Sequence, residues 1–312
     1  MITKESFSYP STCEGTEIHE VRYLPQGDIQ GILQIAHGMA EFIERYEPFA
    51  CYLAERGILV TGNDHLGHGE SVQSPEDYGY CARSKANAAV LEDLHTLTEI
   101  TRETYPGIPY VLMGHSMGSF YVRQFLCEYG RELDGAIIVG TGNQPEYLAR
   151  AGKVVCASLA HAKGWRYRST FVNKMAFGKY NERFEPARTP FDWLTRDPAV
   201  VDAYVADERT GFLFTLNGFY TMFTGISRMN SKRRLSQIPK DLPILFTSGE
   251  DDPVGEFTKG VLRAVELFRS VGMNRVEVKF YPGARHEILN EIDRETVYDD
   301  LYLWLEDVVK YG

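Results

Sequence analysis

The first part of the chain alternates short apolar runs with segments whose apolar residues recur at helical spacing. In the segment 86–102, for example, Val90, Leu94, Leu97 and Ile100 lie on one face of a helix. Strands are predicted over 17–24, 31–36, 58–62, 110–113 and 135–139, and helices over 45–56, 86–102 and 117–129. Strands that alternate with helices predict a parallel sheet covered by helices on both faces.

This alternation stops after Val139 and resumes at Pro243. The resumed pattern predicts strands over 243–247 and 276–281 and helices over 257–270 and 297–309. The break between them is rich in aromatic and basic residues and too long for an ordinary connection, so it should have structure of its own. We predict a core formed by 1–140 and 236–312, with 141–235 inserted as a mainly helical cap. The cap should lie over the carboxyl ends of the strands, where open α/β sheets bind ligands.

Composition narrows the class of protein. The chain has 312 residues and a formal net charge of −10, which argues against nucleic acid as a partner because that binding depends on neutralising phosphates. The first residues lack a basic segment followed by an apolar run, and the five cysteines form no C-x-x-C pair. We therefore expect a cytoplasmic protein with neither a disulfide framework nor a zinc site.

The segment Gly114-His115-Ser116-Met117-Gly118 fits the pattern G-x-S-x-G and stands between a predicted strand and a predicted helix. In this context a serine sits on a tight strand-to-helix turn and acts as a nucleophile. The N–H of Met117, at the helix start, would then stabilise the oxyanion. The N–H of Met39, in the loop after the strand 31–36, is the predicted second donor. The alternative is an ordinary Gly/Ser turn.

A serine nucleophile needs a base, and His286 is the best placed of the eight histidines. It follows the strand 276–281, so it should lie at the same sheet edge as Ser116. Asp252 follows the strand 243–247 and is the predicted acid, with Asp251 as the alternative. The two segments are separated by one helix and one strand, a crossover that places their loops side by side.

A third loop, Asp64-His65-Leu66-Gly67-His68-Gly69, could be interpreted as a metal site. Its glycines and the absence of a further Cys/His cluster favour a structural loop, so no metal or cofactor is predicted.

Several segments together resemble the α/β-hydrolase superfamily, in particular its monoacylglycerol lipase and lysophospholipase-like branch, also called the serine aminopeptidase S33 type. In chain order they are His37-Gly38-Met39-Ala40-Glu41 with Arg45-Tyr46, Asp64 to Ser71, Gly114 to Gly118, Gly249 to Val254, and His286-Glu287. The resemblance implies an α/β-hydrolase fold, Ser116 as nucleophile, Asp252 as acid, His286 as base, and the Met39 and Met117 N–H groups as the oxyanion hole.

The substrate is predicted from the cap. Phe212, Leu216, Phe219 and Phe223 recur at helical spacing, which indicates either packing of the cap on the core or a wall of an acyl pocket. We predict hydrolysis of medium- or long-chain carboxylic esters, with transient contact between the cap and a lipid surface, and we predict no particular oligomeric state.

Two other hypotheses stay open. An aminopeptidase or amidase would need carboxylates facing the site, and the candidates are Glu146, Glu182 and Glu185. A non-catalytic ligand-binding module would not need the serine, histidine and aspartate together.

Overall fold

An eight-stranded sheet forms the centre of the molecule. The computed structural model of the protein describes residues 2–13, 15–82 and 84–311. The strands are β1 (Thr3–Pro10), β2 (Glu17–Leu24), β3 (Gly31–Ala36), β4 (Ile58–Asn63), β5 (Tyr110–His115), β6 (Gly135–Val139), β7 (Ile244–Gly249) and β8 (Val276–Tyr281). Their order is β1-β2-β4-β3-β5-β6-β7-β8. The strands from β4 to β8 in this order are parallel, whereas β2 is antiparallel to both β4 and β1. The predicted, mostly parallel sheet is therefore confirmed.

Helices cover both faces of the sheet, as predicted. They are α1 (Glu47–Ala54), α2 (Ala86–Thr104), α3 (Met117–Tyr129), α4 (Glu146–Lys163), α5 (Thr170–Phe177), α6 (Pro198–Ala206), α7 (Leu216–Met229), α8 (Lys232–Leu235), α9 (Lys259–Ser270) and α10 (Arg294–Tyr311). One apolar layer joins α1 and α10 to the sheet, and a second joins α2, α3 and α9 to its other face. The inner strands are buried on both sides because each face contacts a helix layer.

The segment between β6 and β7 contains the helices α4 to α8. Helix α7 packs against α2 and α3 of the core, and α4 packs on α7. The segment predicted as a cap is therefore mainly helical and is joined to the core through α7. Among the described residues, no helix is long and apolar enough to cross a membrane.

Several predicted boundaries need correction. Strand β1 has no counterpart among the predicted strands, and the helix predicted over 45–56 is divided into a 3-10 turn at Ile43–Tyr46 followed by α1. The helix predicted from residue 257 begins at Lys259, because Glu256, Phe257 and Thr258 have φ angles of 51°, 54° and 76°. This left-handed turn cannot continue into a right-handed helix.

Candidate active site

Ser116 stands on a sharp turn between β5 and α3. Its φ of 53° and ψ of −118° lie outside the regions that L-residues prefer, and its N–H donates to the Val139 carbonyl oxygen at 3.0 Å. A Cβ added at Gly118 would lie 2.0 Å from the Ala36 oxygen, and one added at Gly114 would lie 2.5 Å from the Gly118 oxygen. The two glycines are required because the turn is pressed against the end of β3, and this packing holds Ser116 in its strained conformation.

His286 and Asp252 meet at the same edge of the sheet. The Nδ1 atom of His286 lies 2.9 Å from Oδ2 of Asp252, and both side chains are buried. Burial by itself would raise the pKa of Asp252, but the neighbouring His286 and the hydrogen bonds from the Val254 N–H and the Ser248 hydroxyl lower it below its ordinary value. Asp252 is therefore an ionised carboxylate that can accept a hydrogen bond from the Nδ1–H of His286, which leaves Nε2 of the ring free to accept a proton.

Ser116 and His286 line the same cavity. The hydrogen bonds of the described residues do not include one between the serine hydroxyl and the histidine ring. The ring packs against His115 at 4.7 Å between centroids, and a Cβ at Gly140 would lie 3.0 Å from Cε1 of His286. Gly140 thus provides the space that the ring occupies.

Met39 and Met117 also line this cavity. The Met117 N–H is at the first position of α3, where the helix has no acceptor for it. The Met39 N–H donates to no other described residue. The turn that follows Met39 is held by Ala40, whose carbonyl accepts from the Gly211 N–H at 3.0 Å and from the Tyr204 hydroxyl at 2.9 Å. Both amides are therefore available at the cavity wall beside Ser116.

His37, His65 and His68 pack together beneath the site. Nδ1 of His37 lies 2.8 Å from the Gly38 oxygen, and its Nε2 accepts from the His65 N–H at 2.9 Å. Burial lowers the pKa of His37 and of His68 to about 3, and lowers that of His65 as well, so the three rings are neutral. The Asp64 carboxylate accepts from the Ile43 and Glu70 N–H groups. These contacts favour a structural role for the loop that follows β4.

The cavity has a volume of about 740 Å³, and its lining is mostly apolar. Of the predicted pocket residues, Phe212 and Phe223 line it. The placement of Leu216 and Phe219 at the pocket needs correction, because both are fully buried in the core cluster and are not part of the wall. Helical spacing predicted one shared face for the four residues, but Phe212 precedes α7, and only the side of α7 that carries Met222, Phe223 and Ile226 lines the cavity.

A buried charge network behind the site was not predicted as such, although its members stand in the motifs quoted above. Arg45 donates to Glu41 at 2.7 Å and to both carboxylate oxygens of Glu287 at 2.8 and 2.7 Å. Glu41 also accepts from the Gly38 N–H at 2.6 Å and lies 3.1 Å from Nδ1 of His115. Burial opposes ionisation of the two glutamates, but their charged and hydrogen-bonded partners, including Arg45, lower the pKa of both. The network ties the Met39 loop to the residue that follows His286.

Replacing Arg45 by methionine should lower the free energy of unfolding by about 3–5 kcal/mol at pH 7, because two buried carboxylates lose their counter-charge. The stabilisation is present above the ordinary glutamate pKa of 4.5 and is lost as the pH falls through the lowered pKa values, so the deficit should shrink below pH 4.5. Urea unfolding at pH 7 and pH 4 measures both effects.

Arg150→Met is the matched control. Arg150 pairs with Glu146 at the same i, i+4 spacing, but the two side chains are 71% and 48% exposed. Its loss should cost under about 0.5 kcal/mol. Equal losses in the two variants would contradict the role given to the buried network.

The fold and the site define a class of protein, the α/β-hydrolases, and comparison with known proteins gives the family. The family model described as serine aminopeptidase, S33, matches residues 27–293. This is most of the chain, which therefore belongs to the serine aminopeptidase S33 family.

Individual proteins are also similar to most of this chain. The chain is 29% identical over 283 residues to a monoacylglycerol lipase of Mycolicibacterium smegmatis, covering 91% of this chain and 90% of that protein. It is 25% identical over 292 residues to the Homo sapiens monoglyceride lipase, covering 90% and 84%. The crystal structure of a thermostable carboxyl esterase from Bacillus coagulans in complex with glycerol superposes with a TM-score of 0.91, at 28% identity, over 99% of this chain and 100% of that one. The predicted resemblance and the predicted α/β-hydrolase fold are thus confirmed.

Proposed function

We propose that this protein is a serine hydrolase of medium- or long-chain carboxylic esters, with monoacylglycerol-like substrates as the first candidates. The predicted enzyme class, carboxylic ester hydrolase, agrees with the relatives named as monoacylglycerol lipases and a carboxyl esterase. The observation that carries the proposal is that Ser116, His286, Met39 and Met117 all open on one largely apolar cavity.

The geometry supports a two-step reaction through an acyl-enzyme. The Ser116 hydroxyl attacks the ester carbonyl while Nε2 of His286 takes its proton, and the Met39 and Met117 N–H groups bind the oxyanion. His286 then protonates the leaving alcohol as the carbonyl re-forms. In the second half, His286 removes a proton from water, which attacks the acyl-enzyme, and then returns that proton to the Ser116 oxygen as the acid is released. Asp252 holds His286 in the tautomer with the proton on Nδ1 and stabilises the imidazolium in both halves.

The apolar wall of the cavity favours a substrate with a lipid-like acyl group. Phe223 and Ile226 of α7 and Val155 of α4 contribute to it, and such a surface gains free energy when an alkyl chain displaces water. A relative crystallised with glycerol supports a small polyol as the alcohol part. Together these features favour a substrate with one apolar and one polar end.

An aminopeptidase has less support. Glu146, Glu182 and Glu185, the carboxylates considered for binding an amino terminus, do not line the cavity. The carboxylates that do line it in the described chain are already paired with arginines: Glu41 and Glu287 with Arg45, and Glu256 with Arg263. They are therefore poor partners for a free amine.

The outer surface of the cap supports contact with a lipid interface. Apolar side chains on α4 and α5 are exposed, among them Tyr147 at 68%, Val154 at 65% and Phe171 at 65%. They lie on helices that also line the cavity. A substrate could then pass from an aggregate into the site without crossing bulk water.

The deciding experiment is hydrolysis of p-nitrophenyl esters from acetate to palmitate, with 1-monoacylglycerols and aminoacyl p-nitroanilides alongside. We expect a rate maximum at medium or long chains, turnover of monoacylglycerols, and no release of nitroaniline. Activity confined to acetate would contradict an acyl pocket, and preference for the anilides would favour the aminopeptidase.

Substitution of Val155 by tryptophan should shorten the acyl site. Val155 lines the cavity, so an indole there would occupy space needed by a long chain. We expect kcat/KM for palmitate relative to acetate to fall ~10-fold or more, because each methylene that loses its apolar surroundings costs about 1 kcal/mol. Val205→Trp is the control, since Val205, on α6, is 51% exposed and does not line the cavity. The same change of selectivity in both variants would contradict this position for the chain.

A further inference from the structure

Trp193, in the cap segment between α5 and α6, contacts the ring of His286. The two ring centroids lie 5.1 Å apart with an angle of 39° between planes. The other rings, carboxylates and glycines that surround His286 in the described structure belong to the core, namely His115, Asp252 and Gly140. The sequence analysis gave Trp193 no role.

The cap segment around Trp193 is joined to the chain on both sides of His286. The Glu287 N–H donates to the Leu194 oxygen at 2.7 Å. On the other side, Nη1 of Arg285 donates to the Thr195 oxygen at 3.2 Å and to the Asp192 oxygen. The position of the histidine loop therefore depends on a piece of the cap.

Both the backbone and the ring of Trp193 have contacts within the cap. The backbone N–H of Trp193 donates to Oδ1 of Asn181 at 2.9 Å, and the Asn181 side-chain amide donates in turn to the Thr189 oxygen at 2.8 Å. The Tyr180 ring meets the indole edge to face, with centroids 4.9 Å apart. Trp193 is thus held in one place, and its contact with His286 does not rest on a loose surface side chain.

We propose that Trp193 is a positioning residue for His286, through which the cap holds the base in its working orientation. An aromatic face near the imidazole restricts rotation of the ring and attracts the positive charge that forms when His286 takes the proton from Ser116. The ring also covers the base from water on the cap side. The inference rests on the proposed function, because Trp193 is proposed to position His286, the base of that mechanism.

The test compares Trp193→Leu, Trp193→Phe and wild type on p-nitrophenyl acetate, a substrate too short to use the acyl site. We expect kcat of Trp193→Leu to fall about 10-fold, as expected when a cation loses an aromatic partner in a partly desolvated site, with KM changed less than about 3-fold. The rate at which a fluorophosphonate labels Ser116 should fall by the same factor. Trp193→Phe should recover most of both rates, because it keeps an aromatic face.

Trp165→Leu is the matched control, since Trp165 is a cap tryptophan that contacts Tyr220 and does not line the cavity. Its kcat and labelling rate should equal those of wild type. Thermal unfolding of all variants separates loss of fold from loss of positioning. Wild-type activity in Trp193→Leu, or a change in KM with kcat unchanged, would overturn the inference while leaving the proposed function standing. A wild-type enzyme that neither hydrolyses the ester nor reacts with the fluorophosphonate would instead overturn the proposed function.

Discussion

Replacing Ser116 by alanine should remove ester hydrolysis and leave the folded protein intact. Without the hydroxyl no acyl-enzyme forms, and the oxyanion donors alone retain only weak catalysis, so kcat should fall by ~10⁴-fold or more. Stability should change little, because alanine keeps the Cβ and hence the same strain at φ 53°. Initial rates on the preferred ester, together with thermal unfolding, measure the two quantities.

The control is Ser270→Ala, since Ser270 is exposed at the end of α9 and does not line the cavity. It should match wild type in rate and in labelling by a fluorophosphonate, whereas Ser116→Ala should not be labelled. Substantial hydrolysis by Ser116→Ala would show that another group is the nucleophile, and the assignment of the site would have to be abandoned.

Asp252→Asn should lower kcat by about 10⁴-fold. The asparagine amide can donate to Nδ1 of His286, which favours the tautomer with its proton on Nε2, and that tautomer cannot accept the proton of Ser116. The substitution also removes an ionised carboxylate that accepts from the Val254 N–H and the Ser248 hydroxyl. The kcat of Asp252→Asn on the preferred ester, with urea unfolding for stability, measures these losses.

The adjacent Asp251→Asn is the matched variant. Asp251 is half-buried, and its backbone N–H donates to the Ala284 oxygen at 3.0 Å, while no contact joins its carboxylate to His286. We expect its kcat to stay within about 2-fold of wild type, the ordinary effect of a change outside the reacting groups. A large loss in Asp251→Asn with little in Asp252→Asn would move the acid by one residue.

Both predictions concern residues that local sequence patterns proposed for the site. The G-x-S-x-G segment is recognisable because only glycine fits at Gly114 and Gly118, where backbone passes within contact distance of other backbone. The positions of Asp252 and His286 followed from the rule that loops after parallel strands share one edge. In each case a strong local constraint, steric or topological, is visible in the chain itself.

Other features depend on contacts between distant segments. Strand β1 is an edge strand with mostly exposed side chains, so its pairing with β2 leaves almost no apolar alternation to detect. The beginning of α9 is displaced by the left-handed turn at Glu256 to Thr258, in which three residues other than glycine have positive φ angles. Leu216 and Phe219 share the helical spacing of Phe223, yet burial against the core separates them from the cavity wall.

The sequence by itself determined the alternating core and predicted the inserted segment and the proposed roles of Ser116, Asp252 and His286, because these rest on short-range periodicity, turn sterics and strand order. Only the tertiary structure decided which apolar side chains face the cavity, how Arg45 joins Glu41 to Glu287, and that Trp193 rests on His286. Those arrangements join residues far apart in the chain, such as Arg45 and Glu287, which are hydrogen-bonded although 242 positions separate them in the sequence. Such contacts form only when packing brings the segments together, so no local pattern records them.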